Sequence, residues 1–206
     1  MKKFILLLLL VSQFAKAQTA RLGTPTVAGS GCPSGSVSVS LTDDASTISV
    51  LFSAFSAEYA KASNTPRNNL ALNCRIQIPV ELPAGYKMDV MDVEYRGFYV
   101  VPQNSLFTLQ TTGLRIGKIP TLQPQQSVVR GPVNGNFQLV HTLKKFISSD
   151  CGNQRFVLDF TITMSAQSQG SRLGRPPFAG DTLIALDSLD SNGAGADLGV
   201  ALKRCK

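Results

Sequence analysis

The chain has 206 residues, 16% of them charged, and a formal net charge of +7 at pH 7. One domain of this length can bury a sizeable core. A low share of charged residues with plentiful Ser, Thr, Gly and Asn is typical of exported all-β domains, not of helical bundles. The basic residues are scattered, apart from Lys144-Lys145 and Lys203-Arg204, so a nucleic-acid partner is not expected.

The N-terminus has the plan of a secretory signal peptide. Lys2 and Lys3 precede an apolar run over residues 4–11, and Ala15-Lys16-Ala17 fits a cleavage site, so residues 1–17 are predicted to be removed after Ala17. The run is shorter than the ~20 residues of a spanning helix, and no later segment is longer, so the chain is not expected to span a membrane. The predicted location is secreted, either extracellular or periplasmic. Cleavage removes three of the 20 basic residues, which leaves 17 against 13 acidic ones.

Residues 18–31 contain Pro and Gly without an apolar period, and they are predicted to be a flexible leader. Strict alternation then begins, and residues 36–41 and 47–55 are predicted to pair as a hairpin across the turn "TDDAS". The next predicted strand, residues 72–82, contains Pro79, which cannot donate to a ladder. This strand is therefore expected to lie at an edge there or to carry an irregularity.

The strand predicted over residues 86–101 changes phase in its middle. Its apolar residues are Met88 and Val90 before the change, and Val93 and Tyr95 after it. A strand exchanges its faces only where a residue is inserted, so a β-bulge is predicted at Val90-Met91.

Five further segments have strand periodicity, and the strongest is residues 154–164. The others are residues 105–112, 136–146, 181–189 and 198–205. Residues 60–69, 113–135 and 166–180 are predicted loops, the second with one short strand near Val128. About eight to ten strands without a helix predict an antiparallel β-sandwich over residues 32–206, with a closed barrel as the alternative.

The four cysteines are Cys32, Cys74, Cys151 and Cys205. An even count in an exported chain favours two disulfides, for which three connectivities exist. No two cysteines form the close pair that a zinc site needs, so neither zinc nor another cofactor is predicted. Pairing neighbours in sequence, Cys32 with Cys74 and Cys151 with Cys205, is modestly favoured among the three connectivities.

Five sequence landmarks follow one another in order: "GSGCPSGSVSVSLTDD", "LNCRIQIPVELPAGY", "VEYRGFYVV", "SDCGNQRFVLDFTIT" and finally "DSLD" leading to "KRC". In this order they resemble a family of small secreted proteins from bacteria and filamentous fungi, domain-of-unknown-function family 4360. Leu202 stands where that family often has an aromatic residue. The resemblance implies a secreted, all-β domain with disulfides, and it implies no activity.

No set of residues is predicted to be catalytic. The single histidine, His141, is in phase with inward residues and is expected to be a core or rim histidine. Asp92 and Glu94 share one strand face roughly 7 Å apart, a spacing that glycoside hydrolysis permits, although alternating charge on a wet face is ordinary. Asp43-Asp44 lies in a predicted turn, where Asp forms local hydrogen bonds.

The loop "DSLDSNGAGAD" places four oxygen-bearing side chains at spacings that could hold Ca²⁺. They are Asp187, Asp190, Asn192 and Asp197. The pattern of a calcium-binding loop is not met, because Ala194 occupies a ligand position, so an Asx-rich turn is favoured and no metal site is predicted.

The sequence therefore favours a secreted, non-catalytic binding or structural domain of unknown ligand, associated with a cell surface or matrix. A surface glycan and a protein are both open as its partner. The alternative is a hydrolase directed at the cell envelope or at polysaccharide, in which Asp92, Glu94 or His141 would line one cleft.

Overall fold

The computed structural model describes residues 20–62, 69–117, 124–151, 154–169, 177–186 and 195–205. All regular elements in these ranges are strands, which confirms the all-β prediction. They are β1 (Arg21–Leu22), β2 (Thr26–Ala28), β3 (Val37–Leu41), β4 (Thr47–Phe52), β5 (Phe55–Tyr59), β6 (Asn69–Glu81), β7 (Tyr86–Val101), β8 (Ser105–Ile116), β9 (Gln125–Arg130), β10 (Val133–Ser148), β11 (Arg155–Ser168), β12 (Thr182–Leu186) and β13 (Gly195–Arg204).

The strands form two antiparallel sheets. The six-stranded sheet has the order β1-β6-β11-β8-β9, and β2 pairs with β6 beside β1. The seven-stranded sheet has the order β3-β4-β13-β7-β12-β5. β13 and β12 pair with different parts of the same side of β7, and β10 pairs with the opposite side. Buried side chains from both sheets form one hydrophobic cluster, so the two sheets pack as a sandwich.

The core lies between the two inner faces and follows the alternation of the sequence. On β11, Leu158, Phe160 and Ile162 are fully buried, while Thr161 and Thr163 between them are partly exposed. Each strand therefore sends one set of side chains into the core and the other to an outer face. The outer faces are where a partner could contact regular structure.

The predicted bulge in β7 is confirmed. Asp92 pairs with Gly199 of β13 and Val90 pairs with Val200, so Met91 is the extra residue. The pairing with β10 also shifts at this point. Met88 and Val90 before the bulge, like Val93 after it, are therefore all buried, although their sequence phase differs.

Pro79 of β6 lies at a break in the outer pairing of the strand, the edge position that the sequence allowed, while the pairing with β11 is regular there. It lies in the gap between β1 and β2, where its carbonyl oxygen accepts a hydrogen bond from the Gly23 amide at 2.8 Å. Its partner on β11, Val157, directs its own carbonyl to Gly117 at 2.9 Å, away from β6. The N–H that proline lacks would therefore point into the gap between β1 and β2, where no strand pairs with β6, and no hydrogen bond to β11 is lost.

Both disulfides have the pairing favoured above. Cys32 is joined to Cys74, with Cα atoms 5.4 Å apart, and Cys151 is joined to Cys205, with Cα atoms 5.7 Å apart. The first bond attaches the N-terminal segment to β6. The second attaches the end of β13 to the approach to β11, and the Cys205 amide also donates to the Gly85 carbonyl at 2.8 Å.

The flexible leader predicted over residues 18–31 is wrong for its described part. From residue 20 this segment lies along β6: β1 pairs with Val80 and Glu81, and the Gly31 amide donates to the Asn73 carbonyl at 2.8 Å. These contacts satisfy the edge of β6, which would otherwise expose unpaired backbone groups. Strands of two and three residues are too short to produce an alternating pattern.

The long loop predicted over residues 113–135 is also shorter than expected. β8 continues to Ile116, β9 occupies the place of the predicted short strand near Val128, and β10 begins at Val133. The phase is broken inside β8 by a bulge, where Gly113 has a φ of +67°, a conformation that glycine adopts without steric cost. The predicted loop over residues 166–180 likewise begins later, because β11 extends to Ser168.

Candidate functional site

The outer face of the six-stranded sheet carries a group of uncharged polar side chains on four neighbouring strands. The strand register puts Asn73, Thr163, Gln110 and Gln126 in one row across β6, β11, β8 and β9. Thr161 and Thr112 form the row on one side of it, and Ser165 and Thr108 form the row on the other. We call these eight residues the polar face.

The polar face has the regular spacing of a sheet. Neighbouring strands lie ~4.8 Å apart, and alternate residues of one strand lie ~6.7 Å apart. All eight side chains are partly or fully exposed, and each hydroxyl or amide can donate as well as accept hydrogen bonds. In the described strands no aromatic side chain points out of this face, so recognition there depends on hydrogen bonding and shape.

One end of the polar face is bounded by a charged group centred on Asp159 of β11. The carboxylate accepts hydrogen bonds from Arg75 on β6 at 2.7 and 3.0 Å and from Arg115 on β8 at 2.5 and 3.0 Å. Gln77 donates a further bond at 3.3 Å. Hydrogen bonding from Arg75, followed by that from Arg115, lowers the pKa of Asp159 to about 2 against the opposing effect of burial. Asp159 is thus ionised, and together with the two arginines it forms a group with a net charge of +1.

Beyond this charged group the same outer face carries an open groove of about 370 Å³. Pro79 and Val157 lie side by side in neighbouring strands and provide apolar surface, and Val157 is 39% exposed. At the rim, Arg155 donates to Glu81 at 3.0 Å. The groove therefore offers an apolar floor with an exposed ion pair beside it, in line with the polar face along β6 and β11.

His141 of β10 points into the sandwich, as predicted, and is 4% exposed. Its Nδ1 lies 3.0 Å from the Thr111 hydroxyl of β8, and its Nε2 lies 3.0 Å from the Ser127 hydroxyl of β9. Thr111 in turn is hydrogen-bonded to the Tyr95 hydroxyl of β7. Four side chains from four strands thus form one buried polar chain that joins the two sheets.

Burial keeps both ionisable members of this chain neutral, because desolvation lowers the pKa of His141 and raises that of Tyr95. The chain is satisfied when Tyr95 donates to Thr111, Thr111 donates to Nδ1, and the Nε2 proton goes to Ser127. The adjoining cavity has about 10 Å³, enough for about one water molecule and not for a substrate. The Ser127–His141 contact is therefore structural.

The other candidate catalytic residues lie on a different side of the molecule. Asp92 and Glu94 point out of the seven-stranded sheet, while His141, opposite Val93, points into the core. Glu94 accepts a hydrogen bond from Arg96 at 2.7 Å and another from Gln138 at 2.8 Å. The hydrolase alternative requires Asp92, Glu94 or His141 to line one cleft. The two acidic side chains and the histidine instead lie on opposite faces of the sheet.

The remaining acidic candidates have local roles where the structure describes them. Asp44 accepts hydrogen bonds from Thr42 and Ser46 in the β3–β4 turn, at 2.6 and 2.8 Å, and these bonds lower its pKa. Asp197 lies 3.5 Å from Arg96. Asp187, Asp190 and Asn192, the other candidate calcium ligands, lie outside the described residues. Among described residues, no His, Cys, Asp and Glu side chains are grouped as a metal site requires.

Sequence comparison connects the chain with one family. The model of the family described as Domain of unknown function (DUF4360) matches residues 18–205. A protein of Arthroderma benhamiae described as "Uncharacterized secreted protein" is 34% identical over 73 residues, which is 35% of this chain and 29% of the relative. The chain thus covers less than a third of that relative's length.

Structure comparison gives a more distant likeness. The carbohydrate-binding module TmCBM61, solved in complex with β-1,4-galactotriose, overlaps 87% of this chain and 88% of its own at 15% identity, with a TM-score of 0.29. A TM-score this low supports no conclusion about a ligand of this chain. In its described residues the chain has no helix of the length and hydropathy that crossing a membrane requires.

Proposed function

The chain belongs to the DUF4360 family, and from that premise we propose that it is an exported, non-catalytic binding domain whose polar face takes a neutral polysaccharide. Two disulfides and the secreted relative support an extracellular location. Cleavage after Ala17 belongs to the proposal, because residues 1–19 lie outside the described part.

The observation that carries the proposal is the chemistry of the polar face. A neutral polysaccharide presents hydroxyl groups that donate and accept hydrogen bonds, and the Thr, Ser, Asn and Gln side chains of this face do the same. A strongly charged ligand would instead need unpaired charges of opposite sign. The charges beside this face, on Arg75, Arg115 and Asp159, are two cations that share one carboxylate, so the group keeps a net charge of only +1.

The groove extends this surface in the same direction. From Pro79 to Asn69, β6 spans roughly 33 Å, the length of ten residues in a strand. An extended polymer lying along β6 and β11 would cover the groove and the polar face in turn. Its C–H surfaces would contact Pro79 and Val157, and its hydroxyls would reach Glu81, Arg155 and the polar face. The absence of aromatic stacking predicts that each repeat binds weakly and that affinity grows with polymer length.

Co-sedimentation with insoluble neutral polysaccharides tests the proposal. Thr163→Glu places a charge in the middle of the polar face, between Asn73 and Gln110, and should weaken binding about tenfold, as expected when roughly two hydrogen bonds are lost. The matched control is Ser38→Glu, at an exposed position on the outer face of the seven-stranded sheet, which should bind like the unaltered chain.

Ionic strength supplies a second readout. Hydrogen bonding to a neutral polymer should not depend on salt, whereas attraction between charges is screened within ~10 Å at 0.1 M salt. Binding that disappears as salt is raised, equal loss in Thr163→Glu and Ser38→Glu, or retention by no neutral polymer would refute the proposal.

A further inference from the structure

The outer edge of β10 is the longest edge that the described strands leave open. β10 has 16 residues and, in the described part of the sheet, pairs only with β7. The other edge strands are much shorter: β1 has two residues, β2 three, β3 and β5 five each, and β9 six. An open edge presents a row of backbone donors and acceptors that another strand can pair with.

Two hydrogen bonds fix which residues of β10 face this edge. The Val200 amide donates to the Ser46 carbonyl at 2.8 Å, so Val200 faces β4 and Gly199 beside it faces β7. Asp92, the partner of Gly199, therefore bonds to β13, and Val93 bonds to β10.

The partner of Val93 is His141, so the odd-numbered residues of this part of β10 bond to β7. The even-numbered residues Gln138, Val140 and Thr142 direct their N–H and C=O groups away from the sheet. On the far side of the β7 bulge, the Ser149 amide donates to Met88 at 2.8 Å, which agrees with the change of phase there.

Residues 133–142 of β10 lack the devices that usually protect an edge, whereas two lysines and a shift of register follow them. No proline occurs from Val133 to Ser148, and no Lys, Arg, Asp or Glu occurs before Lys144. The pairing with β7 is unbroken from Val133 to Thr142, and Val140 is 50% exposed. Natural edges are commonly short, charged, bulged or interrupted by proline, so this edge is suited to pairing.

We propose that the β10 edge pairs antiparallel with the β10 edge of a second copy of this chain, so that two seven-stranded sheets form one continuous sheet. A twofold axis at Val140 would place Val140 opposite the same residue of the copy, and Gln138 opposite the copy's Thr142. In this register Lys144 and Lys145 lie beyond the paired segment, so no like charges meet. The edge can thus pair with its own copy through backbone hydrogen bonds without repulsion between like charges.

This interface leaves the polar face free, because that face belongs to the other sheet. The two proposals can therefore fail separately. A monomer that binds polysaccharide would refute only the pairing, and a dimer that binds none would refute only the proposed function.

Sedimentation velocity of the exported chain over a range of concentrations tests the pairing. Val140→Pro removes an N–H that faces the open edge, without removing a bond to β7, and should shift the chain to monomer. Val140→Thr keeps the branched shape and the N–H, and should dimerise like the unaltered chain. A monomeric unaltered chain, or a Val140→Pro variant that still dimerises, would overturn the proposal.

Hydrogen exchange on the unaltered chain gives an independent answer should Val140→Pro not fold. The amides of Gln138 and Val140 should exchange more slowly as protein concentration rises, while those of Leu139 and His141, already bonded to β7, should not change. Equal exchange of Gln138 and Val140 at low and high concentration would contradict the interface.

Discussion

Replacing Asp159 by Asn should destabilise the fold at neutral pH and leave it nearly unaffected in strong acid. The carboxylate is 4% exposed and accepts hydrogen bonds from two arginines on the strands at either side. Asn carries no charge to balance those of Arg75 and Arg115, and one of its two polar groups is itself a donor facing guanidinium donors.

The magnitude follows from the pKa of Asp159. The pKa falls from 3.8 to about 2 in the folded state, and each unit corresponds to 1.36 kcal/mol, so ionised Asp159 contributes about 2 kcal/mol to stability. The two arginine side chains are 49% and 43% exposed, so solvent and salt reduce the part of this value that comes from charge attraction.

The sign follows from the lowered pKa. Because the folded-state pKa lies below the unfolded one, the contribution is complete above about pH 4 and is lost as the pH falls through about 2. Urea denaturation of the unaltered chain and of Asp159→Asn, with disulfides intact, should differ by about 2 kcal/mol at pH 7 and converge near pH 2. Asp89, whose pKa is also lowered, is present in both proteins, so its effect cancels.

Glu81→Gln is the matched control. Glu81 also accepts from an arginine, Arg155, at 3.0 Å, but the two side chains are 51% and 80% exposed. An exposed pair of this kind contributes about 1 kcal/mol at most. A loss of stability in Asp159→Asn that is the same at pH 7 and pH 2, or no greater than that in Glu81→Gln, would refute the role of the charge.

Three further outcomes are expected. Cys205→Ser should lower stability by up to about 4 kcal/mol in the chain-entropy model, and mass spectrometry after thiol alkylation should find Cys151 labelled; a blocked Cys151 would contradict the pairing. Because burial lowers the pKa of His141, the free energy of unfolding should fall as the pH drops below about 6.5. His141→Gln should reduce this dependence on pH in a series of urea denaturations. The same dependence in both proteins would count against a buried, neutral His141. Gly113→Ala should cost about 1 kcal/mol in urea denaturation, because its φ of +67° strains any residue with a Cβ atom, and a neutral result would mean that the bulge rearranges.

Local patterns predict the strands, the β7 bulge and the inward direction of His141, because each depends on the alternation of one strand. The change of phase between Val90 and Val93 requires an inserted residue wherever the strand lies in the sheet. The cysteine pairing was only modestly favoured from sequence, because spacing alone leaves three connectivities open.

The polar face could not be predicted, because it depends on which strands are neighbours. The alternation shows that Thr163 points outward, but not that Asn73 and Gln110, 90 and 53 positions earlier, lie on the strands beside it. The same limit applies to His141, whose partners Thr111 and Ser127 come from two other strands. Serine and threonine are so frequent in this chain that neither stands out before the topology is known.

Amide chemical-shift mapping can locate the binding surface residue by residue and so test whether it is the polar face. A titration of the isotope-labelled exported chain with soluble oligosaccharides cut from the polymer that it retains should shift the amides of Asn73, Thr163 and Gln110. It should leave those of Ser38 and Glu94, on the seven-stranded sheet, unchanged. Shifts that cluster on the seven-stranded sheet, or none at saturating oligosaccharide, would show that the polar face is not the binding surface.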